Sequence, residues 1–529
     1  MQDMLNVWGG GHLMAFSGLD GKTDFNHALV LRTGFEGFVI ECKLPGDGAK
    51  IMFSENAPVK TYLAGDHFRC TTGQGEVTGA FVDTYHLLIE GPCRIEEKKN
   101  GFLQYEVRGN KTLIGSRGFF RSEWLGAEVN EVFEQRRQWL AKHCADPRSR
   151  AMAKALSQLK TQCYTAEGQL KHNFTTPDRW PHRMAWLWDT VFHAIGLRHF
   201  EPQFARDSIS AVFDSQQPNG FIPLGMSPFY SSYVTQPPVL GFGIKMLMQS
   251  HPDPEWERDL YPRLARFAEW VMANRDSDGA GLVEWYIEEH KNCRSGESGM
   301  DNSPRFDGAI QLDAPDFNAF LALDCEVLAD MASRHGTPEE VKYWQDHHQR
   351  LCRLMNERLW DPALQFYMDY DVVGGARLDV LASAGFLPLI CGAASPEQAR
   401  QLRDHLYNPK TFQTPFRVPS IARCCEKSYR KDMWRGPVWI NINYLIAWGL
   451  ERYGFTAESE ELRRETIVEQ ERLYEKYGVF FEFYDDRRED DPPQLMRKYD
   501  PNSTDPKAFH QVFFDFGWSA TLYLDMICR

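Results

Sequence analysis

Residues 317–359 read FNAFLALDCEVLADMASRHGTPEEVKYWQDHHQRLCRLMNERL and predict two consecutive helices. Apolar residues recur every three to four positions in 317–335 and again in 338–359, which is the period of a helix with one buried face. Thr337-Pro338 separates the two segments and is a typical helix start. The stretch therefore predicts a pair of adjacent helices.

The same periodicity fills the chain from about residue 123 to its end. Further helical segments are predicted at 126–143, 148–163, 185–199, 203–215, 256–274, 395–406, 436–453, 456–476 and 512–527. No strict internal repeat of the tetratricopeptide, HEAT or ankyrin type is present. Helix pairs arranged around a closed ring, an (α/α) barrel, fit this pattern best, although periodicity alone does not establish closure.

The first 122 residues have a different pattern. Short runs with alternating or β-branched residues are separated by turn signals at intervals of about ten residues, as in HALVLRT, GFVIECKL and GAFVDTYHLLIEG. Such spacing is typical of an antiparallel sandwich. We therefore expect a mainly α protein with two domains, a β-sandwich over residues 1–122 and a helical catalytic domain over residues 123–529.

Charge and hydropathy exclude several classes of function. The chain carries 59 Lys and Arg against 73 Asp and Glu, a net charge of −14, which argues against a nucleic-acid partner. No apolar stretch is long enough to predict a transmembrane helix, and the N-terminal residues lack the pattern of a signal peptide, so we expect a cytoplasmic protein with no membrane partner. The sequence does not define an oligomeric state.

Cysteine and aromatic content add two expectations. The 12 cysteines form no CxxC pair, which favours free thiols over disulfides or a zinc site. Aromatic residues make up 13% of the chain and include 15 tryptophans. Indole rings pack against the apolar faces of pyranoses, but large helical cores also absorb tryptophan, so composition alone leaves both explanations open.

Five clusters of polar and aromatic residues fall in predicted loops on the helical scaffold, where active sites are commonly built. These clusters are Trp186-Leu187-Trp188-Asp189, Gln216–Pro223 with Thr235-Gln236-Pro237-Pro238, Glu297–Phe306, Trp434-Arg435-Gly436-Pro437-Val438-Trp439, and Phe480–Asp485 with Phe516-Gly517-Trp518-Ser519.

Two carboxyl groups in these clusters suit glycosidic bond hydrolysis, which requires one acid to protonate the leaving oxygen and a second group to activate water or attack directly. Asp301 lies in an irregular segment between Gly299 and Pro304, and Glu297 could supply a like charge that keeps it protonated. Glu482 is embedded among aromatic residues. Taken singly, Asp301 also suits a turn, and Glu482 also suits the outward face of a strand.

Together and in this order, the motifs resemble those of glycoside hydrolase family 63, the (α/α)6-barrel glycosidases that include α-glucosidases and the mannosylglycerate and glucosylglycerate hydrolases. The resemblance covers about residues 180–525. It is carried by Trp188-Asp189, Pro218-Asn219-Gly220, Gln236-Pro237-Pro238, Glu297–Ser303, Trp434–Trp439, Phe481–Asp485 and Phe516–Ser519.

The resemblance implies roles for individual residues. Asp301 would be the general acid and Glu482 the general base of an inverting reaction, with their carboxyl groups roughly 6.5–9.5 Å apart to hold the attacking water. Arg435 would orient Glu482 or bind a hydroxyl, and the first sugar subsite would be lined by Trp188, Asp189, Gln236, Glu297, Trp434, Arg435, Trp439 and Trp518. The family's reaction needs no metal and no cofactor.

Three segments depart from the simplest family pattern. The acidic run 485–491 follows the proposed base and predicts a solvated surface loop or a lid. Residues 276–284 carry alternating carboxylates without the full EF-hand register, so a glycine-rich loop is favoured over a calcium site. The additional β domain resembles the larger, two-domain α-glucosidases.

From these features we expect an inverting α-glycosidase that acts on a small carbohydrate, above all an α-glucosidase that cleaves a small α-glucoside or oligosaccharide. An α-mannosidase or a glycosylglycerate hydrolase on the same scaffold is the first alternative. Another (α/α)-barrel enzyme, such as an epimerase, lyase or phosphorylase, is the second, because one fold supports many reactions. A non-catalytic carbohydrate-binding protein is the third.

Overall fold

The computed structural model describes residues 8–46, 48–54, 60–96, 101–144, 149–290, 292–500, 502 and 510–529. Eleven antiparallel strands come first and thirteen helices follow in this part of the chain. The strands are β1 (Leu13–Ala15), β2 (Val30–Thr33), β3 (Phe38–Leu44), β4 (Lys50–Ser54), β5 (Lys60–Leu63), β6 (His67–Thr72), β7 (Gly75–Asp83), β8 (His86–Glu90), β9 (Arg94–Glu96), β10 (Leu103–Arg108) and β11 (Lys111–Ser116).

These strands form two packed sheets, a five-stranded sheet in the order β1-β2-β3-β4-β9 and a six-stranded sheet in the order β10-β11-β8-β7-β6-β5. Side chains alternate across the six-stranded sheet. Phe81 points into the core between the sheets, whereas its neighbours Ala80 and Val82 belong to the core that includes helix α1. Because a strand has a side-chain period of two, β7 buries one face against the partner sheet and the other against a helix.

The helices are α1 (Val129–His143), α2 (Arg150–Thr161), α3 (Leu187–Leu197), α4 (Pro202–Asp214), α5 (Leu240–Ser250), α6 (Pro254–Arg275), α7 (Pro315–His335), α8 (Pro338–Leu354), α9 (Pro388–Cys391), α10 (Pro396–Leu406), α11 (Ile440–Arg452), α12 (Thr456–Tyr477) and α13 (Gly517–Cys528). Helix α1 packs on the six-stranded sheet, and α2–α13 form the barrel.

The odd-numbered helices from α3 to α13 form a closed inner ring, in which each contacts the next and α13 returns to α3. Every residue of α3 is buried, as expected for a helix enclosed on all sides. The even-numbered helices form the outer layer and keep a solvated face, as in α8, where only Trp344 and Leu351 are buried. The barrel is therefore an (α/α)6 arrangement.

Buried polar contacts join the sandwich to the barrel. The Lys154 ammonium of α2 lies 2.5 Å from the Asp515 carboxylate, which also accepts the backbone N–H of Leu13 in β1 at 2.7 Å. The Lys160 ammonium contacts Asp66 at 2.6 Å, with both side chains buried. Because an unpaired buried charge is costly, these contacts fix how the two parts meet.

The predicted fold class is confirmed, a mainly α barrel preceded by an antiparallel sandwich. Two inner helices, α5 and α9, were not among the predicted segments, and α8 ends at Leu354, where a π-helical turn continues to Leu359. The domain division at residue 122 stays a prediction. In the part of the chain that the structure describes, no helix is both long and apolar enough to cross a membrane.

Candidate active site

The predicted site residues gather at one end of the barrel. Trp188 and Asp189 lie in the first turn of α3, and Trp518 lies in the first turn of α13. Gln236 precedes α5, and Trp439 is the residue before α11. Four inner helices, α3, α5, α11 and α13, thus present their N-terminal ends to a common centre, where the helix dipole and unpaired backbone N–H groups favour negative charge.

A cavity of about 160 Å³ opens at this centre. It is lined by both proposed catalytic carboxyls and by five of the eight predicted binding residues. Its lining is Pro177, His182, Trp186, Trp188, Asp189, Gln236, Gly299, Asp301, Met433, Trp439, Glu482, Arg497, Lys498, Phe516 and Trp518. Two carboxyl groups in an aromatic cavity are the arrangement that acid–base cleavage of a glycoside requires.

The loop that carries Asp301 depends on a glycine. Gly299 has a φ of 69°, and a Cβ at this position would lie 2.4 Å from the Trp188 indole. Only glycine fits both the left-handed conformation and the close approach. The Asn302 side chain connects the loop to the opposite wall, since its oxygen accepts a hydrogen bond from the backbone N–H of Trp434 at 3.0 Å. The loop thus lies directly against the aromatic wall of the cavity.

Glu482 is held in a short extended segment between α12 and α13. Its backbone N–H donates to the Phe513 carbonyl at 3.0 Å, and two residues later Tyr484 pairs with Val438 in both directions. The side chain is 3% exposed. Arg497 balances its buried charge, with Nε 3.0 Å from Oε2 and 3.2 Å from Oε1. The backbone pairing and the ion pair together fix the position of this carboxylate.

Lys498, the next residue, contacts the other carboxyl, since its ammonium forms an ion pair with Asp301. Burial disfavours the ammonium, but the Asp301 carboxylate outweighs this cost, so the pKa of Lys498 lies above its ordinary value. The backbone of Lys498 has a φ of 51°. Asp432 stabilises this unusual conformation by accepting the Lys498 N–H at 2.7 Å.

Asp189 is the third carboxyl of the cavity. Its pKa is raised well above the ordinary range, first by burial and next by the charge of Glu482. Among the described residues, its Oδ1 has no hydrogen-bond partner. A neutral carboxyl can both donate and accept a hydrogen bond. Asp189 is therefore suited to a sugar hydroxyl.

Four tryptophans form a continuous aromatic wall. Trp434 and Trp439 stack in parallel with their ring centres 3.8 Å apart, and Trp518 meets Trp439 and Trp188 edge-on at 5.6 and 5.4 Å. Trp434 does not line the cavity but lies behind Trp439. Trp434 therefore supports the ring that lines the cavity, and its contact with a sugar stays a prediction.

Two further predicted binding residues lie outside the cavity lining. The Glu297 carboxylate is fully buried and accepts two hydrogen bonds of 2.8 Å each from the Arg275 guanidinium. Arg435 forms a two-point ion pair with Asp307 at 2.6 and 2.8 Å. Each charge is thus satisfied away from the cavity, which argues against Glu297 as a hydroxyl acceptor and against Arg435 as the residue that orients Glu482.

The structure adds cavity residues that the sequence reasoning did not select, namely His182, Trp186, Met433, Arg497, Lys498 and Phe516. Trp186 and Phe516 belong to two of the loop clusters of the sequence, Trp186–Asp189 and Phe516–Ser519. The available signal for Arg497 and Lys498 was an adjacent basic pair that follows an acidic run after Glu482.

The acidic run at residues 485–491, which departs from the simplest family pattern, is partly buried. In the acidic run, Asp485 and Asp486 are buried, whereas residues 488–490 are exposed, so the expectation of a surface loop holds only for its tip. The Asp485 carboxylate accepts the Glu489 and Asp490 N–H groups at 2.9 and 2.8 Å, and the pKa of Asp486 is raised to about 7 by burial. This half of the run is a structural turn.

The carboxylates of Asp276, Asp278 and Glu284 come within 4.8 Å of one another. Arg358 already supplies positive charge beside them, with contacts of 3.1 Å to Asp278 and 2.8 Å to Asp313. Glu284 in turn accepts hydrogen bonds from Ser277. These contacts involve Asp278 and Glu284, whereas Asp276 Oδ1 has no hydrogen-bond partner among the described residues, so the preference for a glycine-rich loop over a calcium site stays a prediction.

Comparison with known proteins identifies the family. The model of the mannosylglycerate hydrolase MGH1-like glycoside hydrolase domain matches residues 181–500, more than half of the chain. The chain belongs to this family. It is therefore a glycoside hydrolase that resembles family 63, as the sequence motifs predicted.

Three relatives show the extent of the similarity. A mannosylglycerate hydrolase of Rubrobacter radiotolerans is 26% identical over 58% of this chain and 86% of its own length. A glucosylglycerate hydrolase of Mycolicibacterium hassiacum is 22% identical over 58% of this chain and 87% of its own length. The crystal structure of the family 63 mannosylglycerate hydrolase from Thermus thermophilus, in complex with glucose, has a TM-score of 0.57 at 26% identity and covers 71% of this chain and 99% of its own.

Proposed function

We propose that this glycoside hydrolase cleaves an α-glycosidic bond with inversion, with Asp301 as the general acid and Glu482 as the general base. The observation that carries the proposal is that both carboxyls line one small aromatic cavity, each beside its own basic residue. In the reaction, Asp301 would give its proton to the leaving oxygen. Glu482 would take a proton from the water whose oxygen bonds to the anomeric carbon.

The remaining cavity residues are proposed to bind the first sugar. Trp188, Trp439 and Trp518 offer indole surface to the ring, and Asp189 and Gln236 offer hydrogen bonds to its hydroxyls. The Gln236 side-chain oxygen accepts a hydrogen bond from the backbone N–H of Trp188 at 3.1 Å. This bond holds the Gln236 amide in place at the start of α3. A buried polar group with a fixed position discriminates between sugars that differ at one hydroxyl.

For the substrate we propose a small α-glucoside or α-linked oligosaccharide. The β-sandwich supports this choice, since it resembles the additional domain of the larger α-glucosidases and lies outside the family match at residues 181–500. A glycosylglycerate is the second candidate. Two cations, Arg497 and Lys498, line the cavity and could bind an anionic leaving group, and the relatives include a mannosylglycerate and a glucosylglycerate hydrolase.

A hydrolysis screen tests the proposal. The purified chain is incubated with trehalose, kojibiose, nigerose, glucosylglycerate and mannosylglycerate, and products are followed by NMR. Asp301→Asn and Glu482→Gln are assayed on each substrate that is cleaved. We expect cleavage of at least one α-glycoside and loss of activity in both variants. Full activity in either variant would reject the assignment of that residue.

A further inference from the structure

A second cavity, of about 310 Å³, lies where the sandwich meets the barrel. Strands β2 and β3 and the turn between them form one wall, and barrel segments 180–181 and 510–514 form the other. Its volume is at the lower end of the range for ligand sites, which are common at domain junctions. Half of this cavity comes from the region that precedes the family match at residue 181.

The exposed aromatic ring of Phe35 lines this cavity. Phe35, in the turn between β2 and β3, is 64% exposed and meets the ring of Phe514 edge-on at 4.8 Å. Gly10 makes room for it, since a Cβ there would lie 2.5 Å from the Phe35 ring. Exposing so much of a phenylalanine costs free energy that a bound apolar surface would recover.

The cavity is held together by a buried arginine. The Arg32 guanidinium on β2 donates to four carbonyl oxygens at 2.5 to 3.2 Å. Three of them belong to residues that line the cavity, Gly11, Trp180 and Phe514, and the fourth belongs to Asp178. A pocket with such a fixed frame is largely preformed. Binding there would not require the walls to be ordered first.

One residue joins this cavity to the catalytic one. Phe513 lines the second cavity, and its ring lies 4.6 Å from that of His182 and 4.3 Å from the Arg497 guanidinium, both of which line the first. Its backbone N–H lies 3.4 Å from Glu482 Oε2. Phe513 therefore places the two cavities beside each other.

From this geometry we infer that the second cavity is a carbohydrate-binding subsite for a distal pyranose unit of the substrate. The inference rests on the proposed glycosidase function. The aromatic rings of Phe35 and Phe514 suit the apolar face of a sugar. Glu41, Lys43 and Gln511 add polar groups to the lining that can bind its hydroxyls. The catalytic cavity alone would then bind one sugar, and both cavities together would bind an oligosaccharide.

The test compares substrates of different length in two matched variants. Phe35→Ala removes the exposed ring, and Phe102→Ala removes a ring that is 54% exposed on the same sandwich but does not line the cavity. Phe35→Trp keeps an aromatic surface. Binding of methyl α-glucoside, methyl α-mannoside and the α-linked trisaccharides of glucose and mannose is measured by saturation-transfer NMR titration, with melting curves as a check on folding.

We expect Phe35→Ala to weaken trisaccharide binding about three- to tenfold, the range for loss of one aromatic contact, and to leave monosaccharide binding unchanged. Phe102→Ala should change neither, and Phe35→Trp should restore trisaccharide affinity. Equal trisaccharide affinity in wild type and Phe35→Ala, or no saccharide binding at all, would overturn the subsite. Full hydrolytic activity of Asp301→Asn would instead reject the proposed mechanism and leave the Phe35 result standing.

Discussion

Arg497 and Glu482, which both line the catalytic cavity, form an ion pair, with the guanidinium Nε 3.0 and 3.2 Å from the two carboxylate oxygens. The next residue, Lys498, is paired with Asp301. One dipeptide therefore contacts both proposed catalytic carboxyls. Its backbone is set by Asp432, which accepts the N–H groups of Lys498 and Tyr499 at 2.7 and 3.3 Å. We regard this dipeptide as the positioning element of the site.

Replacing Arg497 by Met should lower kcat/KM about 10- to 100-fold, the loss expected when a hydrogen bond to a charged group is removed. The acidic limb of the pH–rate profile should also move to higher pH, because the base must be ionised and its compensating charge is gone. The measurement is kcat/KM on the best substrate from about pH 4 to pH 9.

Arg435→Met is the matched control, because Arg435 pairs with Asp307 outside the cavity. It should leave the acidic limb where it is in the wild type. A shift of that limb in Arg435→Met but not in Arg497→Met would return the orienting role to Arg435.

Lys498→Met should change the alkaline limb of the pH–rate profile rather than the acidic limb. The raised pKa of Lys498 keeps its ammonium charged at neutral pH, where it forms an ion pair with Asp301. An acid catalyst must be protonated, so removing the positive charge beside it should move the alkaline limb of the profile to higher pH. The same pH–rate series measures it. An alkaline limb that stays in place would show that Lys498 does not influence the catalytic acid.

Gly299→Ala should impair catalysis strongly. The new Cβ would meet the Trp188 indole and force a left-handed backbone on alanine, so the Asp301 loop must shift. A displacement of the acid by about 1 Å can cost roughly a hundredfold in rate. Gly308→Ala, in the same loop with no atom within 4 Å of its Cβ, is the control and should keep wild-type kcat. Equal kcat in the two variants would contradict the close packing of this loop.

Asp189 should make stability depend on pH. Burial raises its pKa in the folded state, so folding favours the protonated carboxyl. Its contribution is complete below the ordinary pKa of 3.8 and is lost as pH rises towards the folded value. Asp189→Asn cannot ionise, so its melting temperature should fall less than that of the wild type between pH 5 and pH 8. Parallel melting curves for the two proteins would show that Asp189 is not protonated in the fold.

The sequence was most informative about long, periodic elements. The adjacent helices at 317–359 and the strand-and-turn spacing before residue 122 were both visible, because a helix period and a strand period are local properties. Helix α5 was missed because its segment follows two prolines and is apolar on most sides, so it lacks a clear polar face. Helix α9 has four residues, too few for any period to appear.

The site was predictable in its types of residue but not in its pairings. Charged partners are set by tertiary structure, and Glu297 shows this, since Arg275 reaches it from the end of α6, across a separation of 22 residues. Arg497 likewise reaches Glu482 from a loop with unusual backbone conformation at Lys498. Neither partnership has a sequence signature, because the loops that create it are not periodic.

The most direct test of the account is the stereochemistry of the first product. An α-linked substrate is hydrolysed in the NMR tube, and the anomeric protons of the released sugar are recorded before mutarotation equilibrates them. If Glu482 holds a water on the face opposite Asp301, the β-anomer appears first. Initial release of the α-anomer would contradict the inverting pair, even if both carboxyls proved essential.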